Sequence, residues 1–444
     1  MKNRIVLIPC GCILTMNDKG DVLRNTTIVS EEGKIKALLP NSEARTAYPD
    51  AEIVDASNKV VIPGLVNVHM HSNLTRGFGD NMALYAWHEA IAETVGMETS
   101  PEEMQMGALI SYLEAVKSGT TTMLSMEKYS AYCYEAAKAS GARVRIVPYV
   151  LDFDDCVDKV ELNLEYVEKT LDPSLRTRFI FGFDSFREAG PDLIRQVVEL
   201  SNKYDIMMQT HSCESVDDVT LCLELHGCEP TKYLHKLGAL NKNMILAHGV
   251  HLTEEEKQLV TQTGARIAHC PTSNMKLSDG AAPVKEYMDR GILVGIGTDG
   301  ANSNNNYDML EEIKFAALLP RISTKKADDL TAETVLRMAT IEGAKVLGMD
   351  DIIGSVEVGK CTDLCILDMR NLHCLPYDLD EPGILMSHIV YSCNGSDVDS
   401  VIVDGEVLVK NHTLTRFDEE SVFAAANILS KNLTQRLKKR GVNM

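Results

Sequence analysis

Two histidines separated by one residue close the apolar run Asn67-Val68-His69-Met70-His71. Side chains alternate faces along a strand, so the two imidazoles point the same way if the run is extended. Such a pair at a strand end is a ready clamp for a divalent metal. Other residues able to bind a metal or move a proton follow similar runs. His211 comes after Ile206-Met207-Met208-Gln209-Thr210, His248 after Ile245-Leu246-Ala247, and Asp299 after Leu293-Val294-Gly295-Ile296-Gly297-Thr298. One histidine beyond an apolar run is usually a packed core residue. Five polar residues, His69, His71, His211, His248 and Asp299, each placed at the end of such a run, imply a shared site.

The elements that would gather them alternate in type. Strand candidates cover 60–68, 121–124, 144–150, 179–183, 206–210, 244–247, 266–269 and 293–298, with helical stretches at 101–117, 191–203, 254–262 and 284–289. This βα alternation implies an α/β chain with a parallel sheet. Eight candidate strands suggest closure into a (β/α)8 TIM-like barrel, although an open doubly wound sheet shares the pattern. In a barrel the C-terminal ends of the strands form the active face, and the five residues would stand there. Both chain flanks differ from the middle. Short β-type runs at 5–8, 26–29 and 34–38 are split by Asp18-Lys19-Gly20 and Glu31-Glu32-Gly33, and the texture returns at 364–367, 401–403 and 407–409. The flanks predict a small composite β-sandwich domain from 1–60 and 355–417, beside a barrel over 61–354 and a C-terminal helix within 418–444. That helix ends in Lys438-Lys439-Arg440 and reads as a solvated or packing helix.

Composition narrows the partners. The chain has 444 residues, 45% of them hydrophobic, enough for a large core. A formal net charge of -20 repels phosphate backbones and acidic membranes, so no nucleic-acid or membrane partner is expected. No stretch approaches the roughly 20 apolar residues of a membrane span. The start, MKNRIVLIPC, has no long apolar core followed by a cleavage site, so the 12 cysteines read as reduced, mostly buried and cytoplasmic. Cys10 and Cys12 form a close pair, but no second pair completes a zinc knuckle.

Four motifs then carry a resemblance. Pro63-Gly64-Leu65-Val66-Asn67-Val68-His69-Met70-His71 opens it, and Gly297-Thr298-Asp299-Gly300 with Ser303-Asn304-Asn305 closes it. Between them stand His211-Ser212-Cys213-Glu214 and His269-Cys270-Pro271-Thr272-Ser273-Asn274. In this order they resemble the amidohydrolase superfamily over nearly the whole chain. More narrowly, they resemble the branch of methylthioadenosine/adenosylhomocysteine deaminases and s-triazine hydrolases. The resemblance implies one divalent metal, zinc first with iron, manganese or nickel as alternatives, held by His69, His71, His211 and Asp299. Three neutral imidazoles and a carboxylate suit such an ion and leave room for a water whose pKa the ion lowers. No carboxylated lysine is evident, which favours one metal over two.

The same resemblance assigns roles around the metal. Glu214 would take the water's proton and deliver it to a ring nitrogen, His248 would hydrogen-bond the water or the developing oxyanion, and Asp299 would help pass protons to the leaving amine. The implied reaction is hydroxide attack on a ring carbon of an aminated heterocycle (a purine, nucleoside, pterin or triazine) with loss of ammonia. Loss of chloride or alkylamine from an s-triazine is the alternative; an inactive scaffold would have shed the ligands this chain keeps. Trp87, Asp184, Arg76 and Ser303 are the candidate substrate contacts, and Asn274 and Asn304 would order loops. Two departures weigh against methylthioadenosine and adenosylhomocysteine. No glutamate can be placed after Trp87 in the position these deaminases use, and Asp184 stands where they carry a histidine. An acid there favours an N–H-rich or cationic group. Related enzymes imply a homo-oligomer, dimer or tetramer.

Overall fold

The computed structural model describes residues 4–152 and 157–442. Its centre is a ring of parallel strands: β1 (Leu65–Met70), β2 (Thr120–Glu127), β3 (Arg143–Pro148), β4 in two pieces (Arg178–Phe179 and Phe181–Gly182), β5 (Met208–Ser212), β6 (Met244–His248), β7 (Arg266–His269) and β8 (Val294–Ile296). The first piece of β4 pairs with β3 and the second with β5. The ladder crosses the break, because Ile180 N donates to Ile146 O at 2.9 Å and Phe181 N to Met207 O at 3.2 Å. Asn67 joins β8 back to β1: its Nδ2 donates to Thr298 Oγ1 at 2.7 Å and its Oδ1 accepts from Thr298 N at 3.2 Å. An open doubly wound sheet would leave that seam unpaired. Val66, Val68, Leu124, Val147, Ile245 and Ala268 belong to one buried cluster of the barrel strands.

Local chemistry explains the outer helices. Pro101–Lys117 begins at a capping box between Ser100 and Glu103, with proline at the first turn, where its missing N–H costs nothing. Glu254–Thr263 begins at a second capping box, Thr253 with Glu256, and ends on left-handed Gly264.

One expected strand divides. The run 60–68 is the end of a strand Ala56–Pro63 in the flank sheet followed by β1 in the barrel. The chain changes sheets at Gly64, where a Cβ would lie 2.1 Å from the Thr121 side chain. Only glycine allows that crossing. Both flanks supply one nine-stranded sheet, in which Ala56–Pro63 runs parallel to Ile5–Leu14 and antiparallel to Leu364–Leu367.

Two contacts fix this frame around the barrel. Arg143 on β3 forms a two-pronged ion pair with Asp363 at 2.9 and 3.1 Å, and Asp363 also accepts from Asp404 N at 2.7 Å. The C-terminal helix, Glu419–Lys439, packs Leu433 and Leu437 against Ile91 and Val95 of the segment after β1. Two arginines near its end are paired, Arg440 Nε 2.7 Å from Glu98 and Arg436 on Glu103. No helix among the described residues is long and apolar enough to cross a membrane.

The Arg143–Asp363 pair is 4% and 2% exposed, so removing one partner strands a buried charge. Asp363→Ala is expected to lower unfolding free energy by about 3–5 kcal/mol in urea. The double change Arg143→Met with Asp363→Leu should recover most of that loss.

Candidate active site

The C-terminal ends of the barrel strands converge on one buried point. His69 lies within β1 and His71 one residue past its end; His211 lies in β5, His248 ends β6, and Asp299 follows β8. The imidazole rings of His69, His71 and His211 have centroids 4.8 to 5.2 Å apart. Asp299 Oδ1 is 3.5 Å from His69 Nε2 and 3.6 Å from His71 Nε2. His71 Nε2 and His211 Nε2 are 3.1 Å apart. Glu214, two residues beyond β5, brings Oε1 to 3.5 Å from His248 Nε2.

All four histidines are turned the same way. His69 Nδ1 meets Gln209 Oε1, His71 Nδ1 meets Met126 O, His211 Nδ1 meets Asp184 O, and His248 Nδ1 meets Asn274 Oδ1, each at 2.9 Å. These partners are acceptors, so each Nδ1 carries the proton and each Nε2 of a neutral ring offers a lone pair. His69 Nε2 is fully buried with no hydrogen-bond partner in the protein. His71 Nε2 and His211 Nε2 at 3.1 Å need a proton or a metal ion between their lone pairs. His69, His71 and His211 form one triad with metal-ligand spacing, and His69, His248 and Asp299 another. The donor set therefore fits a divalent ion.

Without an ion, the electrostatics keep three of the four rings neutral and favour a proton on the fourth, His211, which a metal ion would have to displace. Burial lowers the pKa of His69 and His248 and, with the neighbouring His69, lowers His71 to about 3, which keeps those rings neutral. Burial also opposes charge on His211, but the Asp184 carboxylate outweighs it and raises that ring to about 10. Asp299 is held well below the usual carboxylate range despite its burial, because histidines surround it. Glu214 moves the other way: burial first, then Asp299, push it up to about 8. Around neutral pH it can hold a proton or release one.

These groups open onto a cavity of about 200 Å³ whose walls include His71, Trp87, Tyr149, Asp184, Glu214 and Ser303. Trp87 also packs beside Ile91 and Val95 on the segment that the C-terminal helix supports. Asp184 Oδ2 is buried without a partner. Ser303 Oγ accepts from Gly300 N at 3.0 Å and so shapes the loop after β8 as well. Arg76 does not line this cavity. It pairs with Glu114 and is about half exposed, in a separate surface groove. The charge of Glu114 captures it.

Several positioning residues escaped the sequence reading. Gln209 was legible, since it lies two residues before His211 on the same strand face. Asn274, expected only to order a loop, holds His248. Ser273 Oγ donates to Asp299 Oδ2 at 2.6 Å, which leaves Oδ1 toward the histidines. Glu127, at the end of β2, accepts from Ser72 Oγ at 2.6 Å and Tyr112 at 3.2 Å, and burial lifts it to about 7. It fixes the turn after His71, while Met126 beside it fixes the His71 ring. No periodicity announces such partners, because they meet only in the closed barrel.

Known proteins are similar to this chain in sequence and fold. The chain is 36% identical over 381 residues to a 5'-deoxyadenosine deaminase of Methanobrevibacter smithii, covering 84% of this chain and 87% of that protein. It is 35% identical over 428 residues to a 5-methylthioadenosine/S-adenosylhomocysteine deaminase of Haloarcula marismortui, covering 94% and 95%. A crystal structure of an adenosine deaminase from Xanthomonas campestris with bound zinc superposes with a TM-score of 0.91 at 27% identity, over 97% of this chain and 98% of that one. Residues 60–408, which span β1 to β8 and every ligand candidate, match the model of the amidohydrolase family, and the chain belongs to that family.

Proposed function

We propose that this protein is a metal-dependent hydrolytic deaminase that releases ammonia from an aminated nitrogen heterocycle. One divalent ion, zinc in the first instance, would be held by His69, His71, His211 and Asp299. The observation that carries this reading is the common orientation of the histidines: every Nδ1 is engaged, and the Nε2 atoms meet Asp299 and Glu214 at one buried point. The names of the relatives favour a purine carrying an exocyclic amine. When bound, the ion supplies an acidified water, hydroxide-like near neutral pH.

The chain's own residues supply the proton chemistry. Glu214 takes the water's proton and gives it to the ring nitrogen next to the attacked carbon. His248, whose Nδ1–H is committed to Asn274, presents Nε2 as an acceptor for the remaining water proton and so aims the water. Asp299 Oδ1 faces the same point and relays a proton to the departing amine. Asp184, on the cavity wall beside Tyr149, is the acceptor for an N–H of the substrate. Trp87 and Ser303 line the ring's path, and the wall that includes Trp87 limits water entry.

The direct test is ammonia release by metal-quantified protein across aminopurines, adenosine derivatives, aminopterins, cytosines and aminotriazines. Release from one group of rings is expected. No release from any of them, with about one metal bound per chain, would falsify the deaminase reading. Glu214→Gln should lower kcat by about 10²–10⁴ while metal content stays unchanged. Gln209→Leu removes the acceptor that fixes His69 and should weaken metal affinity about 10–100-fold in chelator competition. Unchanged affinity would mean that His69 is not a ligand.

A further inference from the structure

The loop after β4 carries a cation in the wall of the catalytic cavity. Arg187 lies three residues past Asp184, and both line that cavity with Glu214. The Arg187 side chain is only 13% exposed. Its Nε donates to Ser185 Oγ at 3.2 Å, and Ser185 in turn donates to Glu188 Oε2 at 2.5 Å. Glu188 Oε1 stays 3.7 Å from Nε. The guanidinium lies over the Tyr85 ring, 5.2 Å from its centre, which holds the flat group in one plane.

Only the Nε–H is engaged. Among the described residues neither Nη of Arg187 donates a hydrogen bond, and neither is sealed from solvent, so these donors open into the cavity. A guanidinium held this deep with unused donors is costly until a ligand supplies the acceptor. A residue that served only to fix the loop would spend its donors on the loop.

The neighbours of Arg187 say where that acceptor sits on a substrate. Against burial, and together with His211, the Arg187 charge favours the ionised form of both Glu214 and Asp184, so it stands within reach of the two acids that address the ring. Successive ring atoms then meet successive wall groups. A nitrogen takes a proton from Glu214, the next carbon carries an oxygen that accepts from Arg187, and the following nitrogen donates its N–H to Asp184. A carbon bearing only hydrogen would leave the Nη donors unpaired. A bare ring nitrogen would set its lone pair against the Asp184 carboxylate.

We propose that Arg187 is a specificity-determining residue that binds an exocyclic carbonyl oxygen of the substrate, on the ring carbon joined through one nitrogen to the amino-bearing carbon. The substrate class is that of cytosine and isoguanine, whose N–C=O unit adjoins the amidine; adenine lacks the oxygen. The inference rests on the deaminase reading of the site.

Pairs that differ only in this oxygen provide the test. For metal-loaded wild-type protein, kcat/KM for ammonia release should be about 100-fold or more higher with isoguanine than with adenine, or with cytosine than with 4-aminopyrimidine. The deaminated products report the same contact without turnover, through quenching of Trp87, the only tryptophan and a residue of the cavity wall. Xanthine should bind about 10–100-fold more tightly than hypoxanthine, or uracil more tightly than 4-pyrimidinone by a similar factor. Arg187→Met should abolish the product preference while metal content stays unchanged. The inference is overturned if neither oxo product binds wild-type protein more tightly than its partner, or if the preference survives in Arg187→Met. Ammonia release without any oxo preference would sink this inference alone, whereas a product preference without ammonia release from any ring would sink the deaminase reading and leave Arg187 as a binding residue.

Discussion

A neutral imidazole has one N–H, and that proton decides which nitrogen can bind an ion. The barrel mouth depends on this constraint. Four rings present the same atom to one place only because four acceptors take their other nitrogens: Gln209 on β5, Met126 on β2, Asp184 after β4 and Asn274 after β7. No strand supplies both a histidine and the acceptor that orients it. His69 on β1 is set by β5, and His71 after β1 is set by β2. The donor set therefore exists only when the strands are in register around a closed ring, which ties the chemistry to the fold more tightly than any individual ligand does.

Closure in turn rests on the frame outside. The chain enters β1 directly from the flank strand Ala56–Pro63, through the crowded crossing at Gly64, so the flank sheet sets where His69 begins. Asn67, two residues earlier than His69 and on the same face, seals β1 to β8 through Thr298. Asp299 N then donates to His69 O at 3.0 Å, so the seam and the His69–Asp299 contact form together. The C-terminal helix packs on the segment that carries Trp87, which lines the mouth.

Much of this was legible in the sequence because it follows short periods. The spacing of His69 and His71, the placement of His211, His248 and Asp299 after apolar runs, and the capped helices at 101–117 and 254–263 all express local rules. What the sequence hid depends on pairs distant in the chain. The break at Gly64 reflects Thr121, the fate of Arg76 reflects Glu114, and the roles of Met126 and Ser273 reflect strands that become neighbours only on folding. A strand pattern shows which way a side chain points along its own strand. It cannot show which charge waits across the loop.

Left-handed backbone occurs at several turns of the chain, and three of them lie at the barrel mouth. His248 has φ 71° and Asp299 φ 62°, and Cys213, beside Glu214, has φ 53°. For residues with a Cβ this left-handed region costs roughly 1–2 kcal/mol, and glycine would avoid it. Each of these turns is held by backbone hydrogen bonds, such as Gly249 N to Ser212 O at 3.1 Å and His251 N to Cys213 O at 3.0 Å, that would form equally well with glycine present. Beyond the backbone, the side chains are held by single partners, His248 by Asn274 and Asp299 by Ser273, each of which leaves one polar atom free for the mouth. The left-handed turns at His248 and Asp299 swing both side chains toward the point where the other histidine nitrogens converge, so the backbone shape and the polar geometry of the mouth are set together.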